Sequence, residues 1–585
     1  MEPELSTGPA AVDRSQAPQA DKGSATLPIL TVWCYFIAAV VLTGGLWQDP
    51  AGRQISGNPG DTNLYQWWLG WWVHAISVAH NPFFTDAMNL PVGISLMSNT
   101  SMPLPALLMS WLTASAGPLV TYNVLITLAP VLTASAMMFC LLRFGISQPA
   151  AAVAGAVFGF APAIVQSMLG HLSMSMAFLL PVIVSLSLLA WKTMKERRDG
   201  LILGAVGFAQ LMIGEEVLFQ SAFAAMVALI VLAVSRPAAM RAALPVALRT
   251  YAWAFGAFIL LAGYPLYAQL LGHLRVHGSP FWVDYYAADL TSFTTPSELV
   301  WNGPAPQSAS LPGGPPEHLI FLGVPLFLTC IAVIVMRFSD LRTRVSGVGF
   351  VVFAILSLGG SLWVRGQHTT LALPYHYLEH VPLIEGALPS RLGVLTAMFA
   401  AVLMALALDF LGAHAHSRVR VIAATGIVLA VIATLLPKQL PVERVPQIPR
   451  YFSTEARKLP EGTNALVVPI PTPLRTEPLR WQAAAQYRYS TPDGYFIAPA
   501  PDGRAAIGVQ PGPTEQLFVK LEDNGLMPAM TPELTESVTA QLDAWGITTV
   551  LLGPSQHREE QLQLLTQLLG GPSRTVDDVS IWTRA

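Results

Sequence analysis

The run Val124–Leu142, VLITLAPVLTASAMMFCLL, holds no charged residue and decides the class of fold. As an α-helix rising about 1.5 Å per residue, a run of this length spans roughly 30 Å, the thickness of a bilayer's hydrocarbon core. Runs with almost no charge recur at Leu172–Trp191, Val217–Val234 and Val394–Leu411, the last holding only Asp409. The composition agrees: of 585 residues, 53% are hydrophobic and 11% are charged, and the mean hydropathy is +0.50. A soluble domain carries roughly a quarter charged residues. The formal net charge of −3 argues against a nucleic-acid partner, which requires a basic surface. Cys34, Cys140 and Cys330 all fall inside apolar runs, so a disulfide framework is not expected.

Working outward, residues 1–26 are polar and read as a disordered cytoplasmic tail. The apolar run that follows, about 27–46, is too long for a signal-peptide core and lacks a small-residue cleavage site, so it reads as the first span. Further spans are expected near 119–142, 149–167, 172–191, 200–214, 217–234, 251–271, 319–336, 346–363, 391–412 and 420–436, about eleven in all. This walk puts every basic cluster on one face: Lys192 to Arg198, Arg236 to Arg249, Arg337 to Arg344, and Arg418 with Arg420. By the positive-inside rule that face is cytoplasmic, with the N-terminus in and the C-terminus out.

The expected fold class is therefore mainly α. It is a polytopic membrane bundle over 27–436 with a large outer loop at 48–118, followed by a small extracytoplasmic α/β domain over 437–585. In that last part, Asn464-Ala-Leu-Val-Val and Thr548-Thr-Val-Leu-Leu read as strands and Thr531–Trp545 as a helix. No internal repeat is evident, which counts mildly against a secondary transporter of inverted halves.

The first outer loop carries the chemistry. It runs Gly57-Asn-Pro-Gly-Asp61-Thr-Asn-Leu-Tyr-Gln-Trp67-Trp68-Leu-Gly-Trp71-Trp72-Val-His74, then Asn81-Pro-Phe-Phe-Thr-Asp86 and Pro91-Val-Gly93. The tryptophans predict a helix lying along the outer membrane surface, with Asp61 at headgroup depth. Asp61 before Thr-Asn-Leu also fits a helix N-cap with no further role.

A first span, a large outer loop with an early aspartate and a surface helix together resemble the GT-C superfamily of polytopic glycosyltransferases, in particular uncharacterised actinobacterial-type members. The residue-level resemblance covers about Gly57 to Pro103. It implies an inverting transfer of a sugar from a polyprenyl-phosphate-linked donor to a cell-envelope glycan, lipid or protein at the outer face of the plasma membrane. It implies Asp61 as the general base, drawing the proton from the acceptor hydroxyl. A second acidic motif, which many members carry, has counterparts here in Asp86, Glu215–Glu216 and Asp284, with no motif specific enough to choose among them. The requirement for a divalent metal is therefore open.

Three more sites are candidates for substrate binding. Arg391 lies at the outer mouth of the tenth span, where a phosphate clamp and an arginine snorkelling to headgroups both fit. His171 in Leu-Gly-His-Leu-Ser either donates to a sugar or phosphate or bonds to its own backbone. Glu215 and Glu216, being adjacent, point about 100° apart on a helix and cannot both face one site. Arg480-Trp481-Gln482, Tyr487-Arg488-Tyr489 and Asp493-Gly494-Tyr495 read either as a carbohydrate-stacking surface or as ordinary half-buried elements, and Asn99-Thr-Ser matches a sequon that is common by chance. No Walker loop, zinc spacing, dinucleotide fingerprint or nucleophile elbow is present. The alternatives to a transferase are a transporter or flippase gated by Glu215, Glu216 and Arg391, and a non-catalytic envelope assembly protein.

Overall fold

The computed structural model describes residues 26–381, 384–412, 418–508 and 512–584. The tail expected over 1–26 lies outside the described residues except for Thr26, where the first helix starts.

Among the described residues, the membrane part is built on twelve helices of more than ten residues: α1 (Thr26–Leu42), α2 (Pro59–Ser77), α3 (Pro118–Arg143), α4 (Gln148–Gly159), α5 (Leu179–Leu189), α6 (Glu196–Leu211), α7 (Glu215–Ser235), α8 (Pro237–Leu270), α9 (Gly323–Arg337), α10 (Leu341–Leu356), α11 (Gly393–Gly412) and α12 (Arg418–Leu435). Proline within the first two positions starts α2, α3, α4 and α8, where its missing N–H is no loss. The chain is a mainly α membrane protein. Among the described residues, six helical stretches are long and apolar enough to cross a bilayer: Pro118–Arg143, Gln148–Met168, Glu215–Ser235, Pro237–Leu270, Pro389–Gly412 and Arg418–Leu435. α1, α5 and α9 are apolar but shorter.

α11 is the hub of the bundle, with Leu395, Ala400, Leu403 and Met404 fully buried. Its Phe399 ring stacks on Phe353 of α10 at 5.9 Å. α8 and α12 lie at the periphery and turn Phe255, Leu260, Val419 and Ile422 outward. Apolar residues facing out in this density mark a surface that water does not cover.

α2 departs from the expectation of a surface helix. Trp67, Trp68, Trp71 and Trp72 are all buried, and they form a core with Met88, Leu96, Tyr122 and Leu479. The helix is apolar around most of its circumference, so it is covered on both sides, by the bundle and by the C-terminal part. Exposed apolar residues occur instead on the two short helices Pro103–Leu108 and Ser110–Ala116, as Leu107, Leu108 and Trp111.

The C-terminal part contains a five-stranded mixed sheet made of β1 (Thr463–Val468), β2 (Tyr489–Ser490), β3 (Thr549–Leu552), β4 (Arg574–Val576) and β5 (Val579–Thr583). Their spatial order is β4-β5-β3-β1-β2, with β1 parallel to both β2 and β3. Helices α13 (Glu477–Ala484), α14 (Pro513–Asn524), α15 (Pro532–Ala544) and α16 (Arg558–Leu569) flank it. Leu466, Val468, Val550 and Leu552 pack one face with Phe518 and Leu542. Ala465, Val467 and Leu551 face Phe452 and Trp481 on the other. That alternation is the period of two expected of strands buried on both sides.

Several connections fix this part against the bundle. Arg53–Ile55 of the outer loop pairs antiparallel with Val442–Arg444, Gln54 opposite Glu443. The Trp67 indole N–H donates to Gln482 Oε1 at 2.8 Å, and Asn63 donates to Thr476 Oγ1 at 3.0 Å. Asn99 of the sequon-like triplet is buried. It donates to the carbonyl of Ile497 at 2.9 Å and accepts from its N–H at 2.6 Å, so its amide is taken up in joining the two parts. The three cysteines are free.

Candidate active site

Asp61 lies in the first turn of α2, but it is not the cap. Asn58 holds that position, accepting the Asp61 N–H at 3.2 Å, because Pro59 takes the first helical place behind it. The Asn58 amide also donates to Asp61 Oδ2 at 2.8 Å. The capping explanation for Asp61 therefore fails, and its carboxylate is turned toward three other groups.

The first is Tyr495 of the C-terminal part, whose hydroxyl donates to Asp61 Oδ1 at 2.5 Å. The second is His171, with Nε2 at 3.3 Å from Asp61 Oδ2. The turn that presents His171 needs Gly170 at φ +128°, where a Cβ would sit 2.9 Å from Asn58. The third is Arg391, whose charge reaches Asp61 through the rest of the cluster. Gly60 serves the same site, since a Cβ there would stand 2.5 Å from the carbonyl of Pro473 and push the C-terminal part away.

Beyond His171 lies Glu317, in a Pro- and Gly-rich stretch with no local motif to mark it. Its Oε1 is 3.8 Å from His171 Nδ1. Its side chain is only 3% exposed. Arg391 holds it from one side through Nε at 3.0 Å and Nη2 at 2.5 Å, and Ser390 Oγ donates at 3.2 Å. The remaining arm of the guanidinium, Nη1, reaches Glu216 at 2.7 Å. Arg391 is therefore not an arginine snorkelling to headgroups; it ties two carboxylates together. Glu215 turns away and accepts from Gln269 of α8 at 3.2 Å, as the angle between adjacent helical positions requires.

Asp61, His171, Glu317, Arg391 and Glu216 thus form one continuous polar line drawn from α2, the 166–175 turn region, the loop before α9, the start of α11 and the start of α7. Three carboxylates meet one guanidinium and one imidazole, so the cluster is net negative. Asp86 is not part of it: it is exposed, after the short strand Phe84–Thr85. Asp284 lies elsewhere, accepting from Ser361 Oγ at 3.1 Å.

The electrostatics follow from these contacts. Burial pushes the Asp61 carboxyl up, but the hydrogen bond and charge of His171, the Tyr495 hydroxyl and the Arg391 charge outweigh it and hold it below the usual value. Glu317 behaves likewise: burial raises it, and Arg391, His171 and Ser390 bring it below. Both are carboxylates at neutral pH. Burial, reinforced by the Asp61 charge, pushes the Tyr495 phenol well up, so it remains a donor. Burial also lifts Tyr65, one turn along α2 and bonded to Ser173 at 2.9 Å, to about 12. Among the described residues, no three His, Cys, Asp or Glu side chains are arranged to hold a metal ion.

The carbohydrate-surface motifs are split by the fold. Trp481 and Tyr489 are core residues, Tyr495 enters the site, and Arg480, Tyr487 and Arg488 line a cavity on the opposite side of α2.

Among solved structures, the arabinofuranosyltransferase AftD from Mycobacteria is similar to 96% of this chain at 15% identity and a TM-score of 0.57; the chain spans 40% of that protein's length. A weaker likeness, TM-score 0.47 at 13% identity, covers 90% of this chain and 69% of the archaeal oligosaccharyltransferase AglB from Archaeoglobus fulgidus, solved with an inhibitory peptide and a dolichol-phosphate. No curated protein sequence matches the chain. The fold is that of the GT-C superfamily of polytopic membrane proteins. The chain belongs to the family described as domain of unknown function (DUF6311), which matches residues 32–381.

Proposed function

We propose that the chain is an inverting glycosyltransferase, moving a sugar from a polyprenyl-phosphate-linked donor to a cell-envelope glycan, lipid or protein at the outer face of the plasma membrane. The observation that carries the reading is Asp61, an ionised, largely buried carboxylate held by Asn58, Tyr495 and His171 in a polar cluster of a GT-C fold. The acceptor hydroxyl oxygen attacks the anomeric carbon, the carbon–oxygen bond to the polyprenyl phosphate breaks, and the hydroxyl proton passes to Asp61. Tyr495 and His171 hold the carboxylate in place and stabilise its charge. Among the described residues Glu216 Oε1 is buried without a hydrogen-bond partner, which leaves it to accept from a sugar hydroxyl. For Arg391 to clamp the donor phosphate it must release Glu216, the more exposed of its two carboxylates.

In this reading about eleven helices cross the membrane with the N-terminus in, 27–436 forms the membrane domain with its outer loop at 48–118, and 437–585 is an outer α/β domain that completes the site with Tyr495. The test is the lipid and envelope glycans of a deletion strain complemented with wild type or Asp61→Asn. A sugar that is missing in the deletion and restored only by wild type supports the transferase. Full rescue by Asp61→Asn sinks it and favours a transporter or an assembly protein.

A further inference from the structure

α2 separates two polar spaces. Asp61 and Gly70 are nine positions apart, about 180° around the helix, so Gly70 and His74 face away from the active site. They face a cavity of about 660 Å³, within the usual range for small-molecule sites, roughly 300–1,000 Å³.

Its floor is the outer end of α3, at Gly117 to Val120, and its roof is the C-terminal part, which contributes Arg457, Arg480 and Arg488. Glu461 is the one carboxylate lining it, 3.7 Å from Arg488. Arg480 donates from Nη1 to the carbonyl of Pro446 at 2.9 Å, and Arg457 from Nε to the carbonyl of Ala484 at 2.8 Å. Among the described residues, neither has a carboxylate at ion-pair distance. Burial pushes the Arg480 guanidinium down to about 10, which leaves it cationic at neutral pH. Arg480 is half-buried, the charge of Glu477 offsets part of that burial, and Arg480 shares the cavity wall with Arg457 and Arg488.

The wall is also built under constraint. Gln486 and Tyr487 are consecutive non-glycine residues at φ +54° and +55°, a left-handed conformation that side chains rarely adopt. It drives Tyr487 against Gly70, where its hydroxyl donates to the Trp67 carbonyl at 3.0 Å and any larger residue would collide.

We infer that this cavity is a second ligand site, for a phosphate-bearing headgroup, distinct from the space at Asp61. Arginine forks match phosphate oxygens two at a time. The source favoured by position is a membrane lipid. The floor is the outer end of a helix long and apolar enough to cross a bilayer. The neighbouring helices at 103–116 expose Leu107, Leu108 and Trp111, where an acyl chain would lie. Such a lipid would anchor the C-terminal part over the membrane and keep Tyr495 on Asp61.

The test uses the full chain in detergent and counts bound lipid by native mass spectrometry, with phosphatidylglycerol, phosphatidylcholine and inorganic phosphate as probes. Wild type should retain phosphatidylglycerol at least about tenfold better than phosphatidylcholine. The double variant Arg480→Gln/Arg488→Gln should lose that preference. Arg457→Glu, at an exposed position that leaves the fold intact, should weaken it several-fold on its own. Displacement of phosphatidylglycerol by inorganic phosphate at similar concentration would keep the anion site and assign it to a soluble phosphate. Equal retention of the two lipids, or variants that bind as wild type does, would overturn the inference. Because binding is read without sugar transfer, the result is independent of whether Asp61 acts as a base.

Discussion

The Tyr495 hydroxyl donates to Asp61 Oδ1 at 2.5 Å across 434 positions of sequence, joining the C-terminal part to the first turn of α2. The contact makes the site a composite of two regions, and it defines what Tyr495 does for Asp61.

Tyr495→Phe removes a donor to an ionised carboxylate while keeping the ring. A hydrogen bond to a charged group contributes about 1.5–3 kcal/mol, so the thermal midpoint should fall, and turnover should drop as Asp61 loses the contact that fixes it. The bond holds the Asp61 carboxyl down, so its loss should move the acid limb of the pH–rate profile to higher pH. An unshifted limb would remove Tyr495 from the catalytic group.

Arg391→Gln leaves Glu317 buried and without its main counter-charge. Breaking a buried pair from one side costs about 3–5 kcal/mol, and a large drop in the thermal midpoint is expected. Glu317→Gln should cost less, because Glu216 still pairs with Arg391. Equal midpoints for both variants would contradict the geometry. In any Arg391→Gln protein that folds, dependence on the lipid-linked donor should weaken more than acceptor preference.

Stability should also fall in acid. Asp61 and Glu317 are held below their unfolded values of about 3.9 and 4.3. Their contribution is therefore complete above those values and is lost as pH drops through the lower folded ones. Thermal unfolding followed by tryptophan fluorescence should show a midpoint that declines below about pH 4, with a smaller decline in Asp61→Asn. A decline of the same size in that variant would mean Asp61 is not depressed.

Trp67→Ala should cost about 3–5 kcal/mol, since the ring is 1% exposed and its N–H holds Gln482. Limited proteolysis should then cut between the membrane part and the C-terminal sheet first.

What the sequence made legible was the chemistry of single stretches. Apolar runs announced the membrane helices, and Asp61 stood out after its Pro-Gly turn. His171, Glu216 and Arg391 were each noticed separately; the structure brings them to one line with Asp61, while Asp86 and Glu215 go elsewhere. Glu317 escaped notice because a carboxylate in a Pro- and Gly-rich loop carries no periodic signal, and only the Arg391 contact singles it out. The four tryptophans of α2 suggested the membrane interface because their burial depends on α13, more than 400 positions away. Long-range partners of this kind leave no local pattern, whereas the Asn58 cap was in plain view beside Pro59.

The most direct measurement of the central claim is sugar transfer in membranes from a deletion strain carrying wild type, Asp61→Asn or Tyr495→Phe, supplied with lipid-linked sugars extracted from the same cells. With equal amounts of folded protein, the account predicts transfer by wild type, strongly reduced transfer by Tyr495→Phe, and none by Asp61→Asn. Transfer by Asp61→Asn at the wild-type rate would contradict it.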